Sequence, residues 1–182
     1  MNATTEIMGQ IQSGASVSQE RVAEWIGSGD IETWGAVYEL ILRAHDRIEP
    51  ELSLGEACGF VRRYLLKCLE EDPAPGDFVH GGYQAAWDLA AWLKHLDEMG
   101  AEAEEIQEDL AADVEALYRR GNESVRDRIL SGFLEHAFER RSLRRLFAEW
   151  KNDPALGRAY ELALEWGQAH VEDPRDRGEA QA

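Results

Sequence analysis

The sequence predicts an all-α protein of eight or nine helices arranged around a buried central helix at residues 83–96. Three observations carry this. Apolar residues recur at three- and four-residue spacing through most of the chain. Helix start and stop signals punctuate it at regular intervals. No segment shows sustained alternation of β-branched residues.

The elements follow in order. Ile7, Met8 and Ile11 share a face of an opening helix that ends near Gly14. Ser18 caps the next, with Val17 and Val22 spaced as a hydrophobic staple. Asp30 caps a longer helix whose face runs Trp34, Val37, Tyr38 and Ile41; Gly35 within it points to a close helix contact. Pro50 breaks the pattern, and Ser53 with Glu56 then forms a capping box for a helix burying Val61, Tyr64, Leu65 and Cys68. A Pro- and Gly-rich loop, residues 72–82, leads into the central helix. There Gln84, Asp88, Ala91 and His95 make a narrow polar line. Trp87 falls among the positions to be covered, and Lys94 reaches water with its head.

Gly100 ends that helix. The next spans 102–120 and is closed by Gly121 as a left-handed residue. Asn122 or Ser124 starts a helix with Val125, Ile129, Phe133 and Ala137 on one face, Ser142 caps a short one, and Asp153 followed by Pro154 opens the last. Residues 1–171 read as a single all-α domain, and 172–182 as a disordered acidic tail with almost no apolar side chains. Residues 92–98 echo 133–139 at an offset of 41, within the range of HEAT-like repeats, so a helical-hairpin stack and an irregular bundle are both compatible with the pattern.

The chain has 182 residues, 19 of them basic and 36 acidic, for a formal charge of −17. That balance repels nucleic acid and anionic membranes and attracts basic proteins. No stretch approaches the length of an apolar membrane span, and the N-terminus lacks the basic start and apolar run of a signal peptide. Cys58 and Cys68 lie ten residues apart in one helix, roughly 15 Å of rise, which is too far for a disulfide. Buried reduced thiols fit a cytoplasmic protein.

Catalytic motifs for nucleophilic attack, phosphate cradling or dinucleotide binding are absent from the sequence, so a non-enzymatic protein without cofactor is expected. Two His-x-x-Glu pairs, His95 with Glu98 and His136 with Glu139, put two potential metal ligands on one helix face each. Paired helices carrying them would make a helical metalloenzyme, although in a Glu-rich chain such pairs also arise by chance and a packed imidazole accounts for His136. Between Asp97 and Glu115 there are nine acids and no base. Glu102, Glu105, Glu108, Asp109 and Asp113 there, with Asp77 and His80 of the loop, are the expected partner-binding residues. A solvated helix face is the plain alternative. Arg140, Arg141, Arg144 and Arg145 cluster near one helix junction and are expected to pair with the acids.

The run from Leu134 to Gly167, together with Ala85 to Leu96, resembles small acidic all-helical proteins of bacterial toxin–immunity loci. The resemblance implies a stoichiometric inhibitor that binds a toxin domain and carries no transferable site residues. A protein partner, a basic toxin domain, is therefore expected. A HEAT-like scaffold or adaptor is the alternative binding role.

Overall fold

The computed structural model describes residues 2–171, and the expected tail at 172–182 lies outside the described residues. The fold is all-α, and no helix among the described residues is long and apolar enough to cross a membrane. The chain divides into two compact units. One holds the chain through Cys68 together with Asp72–Gly81, and the other holds Leu69–Glu71 and the chain from Gly82 onward.

In the first unit, α1 (Ala3–Ser13) starts at Asn2, whose side chain accepts from the Thr4 N–H, and stops at Gly14 with φ 70°. Ser18 caps α2 (Gln19–Gly27) by accepting from the Arg21 N–H, and Asp30 caps α3 (Ile31–Ala44) by accepting from the Thr33 N–H. Both caps satisfy N–H groups that a helix start leaves open. The expected capping box is present at α4 (Leu54–Glu71), with Ser53 and Glu56 bonded reciprocally. Two short parallel strands, β1 (Val17–Ser18) and β2 (Ile48–Glu49), pair Val17 with Ile48 and Ser18 with Glu49. They are too short to leave a periodic trace in the sequence. The Glu49–Pro50 bond is cis. Val22, Trp25, Val37, Ile41, Phe60, Tyr64 and Leu65 are all buried.

Gly35 does have the close approach expected of it, to the Phe78 backbone of the loop as well as to Tyr64 on α4. A Cβ there would lie 1.8 Å from the Phe78 carbonyl oxygen and 2.9 Å from the Tyr64 hydroxyl. That hydroxyl donates to the same carbonyl at 2.8 Å and sits 2.8 Å from His80 Nδ1.

The second unit is organised on α5 (Gly82–Met99), which buries Ala85, Ala86, Leu89, Ala90, Leu93 and Leu96. After a 3-10 turn at Gly100–Ala103 comes α6 (Glu104–Arg120). Gly121 ends α6 in extended backbone, φ −69° and ψ 152°, and is not left-handed as expected. Its reason is space, since a Cβ would lie 2.7 Å from Val125 Cγ1 and 2.8 Å from the Leu117 carbonyl. Asn122 then caps α7 (Glu123–Asp127). The chain widens into a π-helical segment at Arg128–Leu134 before α8 (Glu135–Phe138). Gly132 in that segment lets α5 come close, because a Cβ there would be 2.7 Å from Ala86 Cβ.

Ser142 caps no helix; its hydroxyl donates to Asp97 at 2.6 Å, and Arg141–Asn152 is 3-10 helical. Asp153 accepts from the Ala155 and Leu156 N–H groups and turns the chain into α9 (Gly157–Ala169). Phe133, Phe138, Phe147 and Trp150 form an aromatic core here, with Phe147 edge-on to Phe133 and Trp150. Cys58 and Cys68 are both buried, and neither is in a disulfide.

Candidate functional site

The second unit carries both features that the sequence singled out. The first is a groove of about 640 Å³ lined by residues of α5 and the segment around α8. Trp87, Ala90 and Ala91 of α5 are among its lining residues. All four residues of the two His-x-x-Glu pairs line it. Helical spacing brings each pair together: His136 Nδ1 is 3.0 Å from Glu139, and His95 Nδ1 is 3.7 Å from Glu98.

These side chains do not assemble the expected alternative metal site. No group of three or more His, Cys, Asp or Glu among the described residues is placed to hold a metal ion. The reason is that cations already take the carboxylates. The Lys94 ammonium lies 2.7 Å from Glu139, in side chains only 14% and 11% exposed. Arg140 donates to Glu98 at 2.6 Å and to the Lys94 carbonyl at 2.9 Å. Lys94 therefore does not send its head to open water, as its place on the helix suggested. Burial pushes the Glu139 carboxyl up, but Lys94, His136 and Trp166 together outweigh this and hold it below the usual range. Hydrogen bonding and charge from Arg140 hold Glu98 below its usual range as well.

A second departure concerns the exposed side of α5. Tyr83 and Trp87 are 41% and 48% exposed, with ring centroids 6.3 Å apart. The sequence placed Trp87 under cover because tryptophan on an apolar helix is normally buried. Four-residue spacing from Tyr83 through Trp87 to Ala91 and His95 was the available signal, since it marks one continuous line of the helix. Tyr83 donates to Asp127, which fixes one edge of this shelf.

The other feature is the acidic helix. Glu105, Glu108 and Asp109 are exposed on α6, and Glu102 is exposed on the turn before it, while Asp113 is half-buried. The opposite face buries Gln107, Leu110, Ala111, Val114 and Leu117. Gln107 is a core residue that the apolar pattern missed; its amide oxygen lies 3.5 Å from Arg145. The helix dipole favours Glu104 and Glu105 in the first turn and Arg119 and Arg120 in the last. It does nothing for Glu108, which lies further along. Glu104 pairs with Arg145 and Glu115 with Arg119, but no cation among the described residues pairs with Glu102, Glu105 or Glu108.

The remaining expected residues belong to the first unit. Asp77 is exposed on the loop. His80 is half-buried between Tyr38 and Tyr64, with both rings edge-on to it, and anchors the loop by its contact with the Tyr64 hydroxyl. The arginines are engaged within the second unit: Arg140 meets Glu98, Arg145 meets Glu104 at the surface, and Arg144 donates to the Phe138 carbonyl at 2.8 Å. Compared with known proteins, the chain matches no family model, and no curated protein or solved structure matches it either.

Proposed function

We propose that this chain is a binding protein of the immunity type, which neutralises a toxin stoichiometrically by docking a basic domain of it on the acidic face of α6. The observation that supports the reading is the exposed set Glu102, Glu105 and Glu108, which no described cation neutralises in a chain of charge −17. Like charges three or four residues apart cost helix stability, so a basic partner relieves a repulsion that the free protein bears. Such a surface also steers association, which makes the on-rate fall as salt rises. On this reading the chain acts in the cytoplasm and carries out no chemistry of its own.

The test is co-expression with the toxin encoded beside its gene, followed by co-purification and binding kinetics. A one-to-one complex whose association slows with salt, and which Glu105→Lys with Glu108→Lys weakens by ten-fold or more, supports the proposal. No complex with the neighbouring gene product overturns it. A complex indifferent to both charge reversals overturns the assignment of the surface.

A further inference from the structure

The exposed aromatic shelf of α5 is a different surface from the acidic face of α6, and it has its own chemistry. We propose that Tyr83, Trp87 and the adjoining groove dock a basic amphipathic helical segment of a partner protein, with its apolar side chain against Trp87 and over Ala90 and Ala91, and its Lys or Arg at Asp127 and Glu135. This rests on the reading of the chain as a protein-binding protein and names a second contact.

Three observations converge on that occupant. First, Trp87 is the kind of side chain that anchors interfaces, large and rigid, and here it lies open beside Tyr83. Ala90 and Ala91 next to it leave room for a partner's side chain to descend. Second, the groove presents no net attraction for an anion. Lys94 is matched by Glu139, and Arg140 by Glu98. Third, the shelf's edge is acidic. Asp127 holds the Tyr83 hydroxyl, and the half-buried Glu135 side chain makes no hydrogen bond or ion pair to any described residue. Burial pushes the Glu135 carboxyl up; His136 and His170 pull it down and Asp127 pushes it up, with burial prevailing, so a cation arriving between Asp127 and Glu135 meets carboxylates beside an aromatic face.

The local backbone is built around the contact. The π-helical segment Arg128–Leu134 lies between Asp127 and Glu135 in the chain and packs on α5 at Gly132, where an added Cβ would come within 3.4 Å of the Tyr83 ring. Wide turns of this kind are frequent at functional sites. A helix laid in such a groove is a recurrent mode of recognition, with apolar anchors at three- and four-residue spacing.

The experiment uses the full chain and a synthetic helical peptide of about 15 residues, Leu on one face and Lys and Arg flanking it. The same peptide with Glu at the Lys and Arg positions is the comparison. Assigned NMR signals of the Trp87 indole N–H and the Tyr83 ring report the site. Saturable shifts at these signals with the basic peptide alone support the proposal. So does a loss of affinity of ten-fold or more in Trp87→Ala and a weaker loss in Glu135→Gln, with circular dichroism unchanged. Equal binding of both peptides, no shift at Trp87, or full affinity in Trp87→Ala overturns it. Shifts confined to α6 and abolished by Glu105→Lys with Glu108→Lys overturn the groove while leaving the acidic-face reading intact. Concentration-dependent Trp87 shifts without peptide make the shelf an interface between copies of this chain and also overturn it.

Discussion

The Lys94 ammonium and the Glu139 carboxylate meet at 2.7 Å, with His136 at 3.0 Å and the Trp166 indole N–H at 3.4 Å from the other carboxylate oxygen. The pair ties α5 to the residue just beyond α8 and closes one wall of the groove. Both side chains are nearly out of water, so each charge depends on the other.

Removing one partner of this pair exposes that dependence. Lys94→Met leaves Glu139 desolvated and without its cation, and should cost about 3 kcal/mol. Adding Glu139→Gln to it should recover most of the loss, because the amide oxygen still accepts from Trp166. Urea unfolding of the two variants checks this; equal loss in single and double variants would count against it. The pH dependence follows from the depressed Glu139 carboxyl. Its stabilisation is present above the unfolded-state value and disappears as pH falls through the folded one. The gap between wild type and Lys94→Met should therefore close in acid.

Gly35 gives a second prediction. Its Cβ position is filled by the Phe78 carbonyl, a backbone group that cannot swing aside. Gly35→Ala should destabilise the chain by about 2–3 kcal/mol through overpacking, although alanine is the better helix former. Denaturant unfolding measures it. A neutral or stabilising result would mean that the 72–82 loop does not lie against α3.

The same loop hangs on the Tyr64 hydroxyl, which donates to the Phe78 carbonyl and accepts from the His80 N–H at 3.3 Å. Burial pushes this hydroxyl far above the usual tyrosine range, so it stays protonated and keeps its donor at any physiological pH. Tyr64→Phe should cost about 1–2 kcal/mol by leaving these groups unmatched. It should also speed proteolytic cleavage within residues 73–80, and unchanged cleavage there would show that the loop is held by packing alone.

Most of the helical layout was legible because it is written in local chemistry. The Asn122, Ser18 and Asp30 caps, the Ser53–Glu56 box and the Gly14 stop each act within one turn. What escaped depends on distant neighbours. Gly121 reads as a left-handed stop until Val125 packs over it. The π-helical widening at Arg128–Leu134 follows no motif, and Gly132 within it packs on Ala86. The groove was half legible. Three-residue spacing placed His136 beside Glu139 and His95 beside Glu98, but Lys94 comes from 45 residues away and claims Glu139. Trp87 was misread because an apolar helix is assumed to hide its aromatics, and only the fold shows which line of α5 is left open.

Glu135 supplies the last prediction, and its sign is opposite to that of Glu139. Burial raises its carboxyl; the nearby His136 and His170 pull it down and Asp127 pushes it up, and burial prevails. A raised carboxyl means the folded state holds the proton more tightly than the unfolded chain, so the charge weakens the fold above the folded value and is harmless below the unfolded one. Glu135→Gln removes the charge and should stabilise the chain at neutral pH by no more than about 0.5 kcal/mol. That gain should vanish as the solution is acidified past the range of an ordinary glutamate. If the same variant also binds the basic peptide more weakly, stability and binding move in opposite directions at one residue, as expected where a carboxylate is kept for a partner at some expense to the fold. Thermal unfolding across pH, paired with peptide titration, measures both. Destabilisation at neutral pH would show that His136 and His170 already serve as its cations and that it is not kept for a partner's.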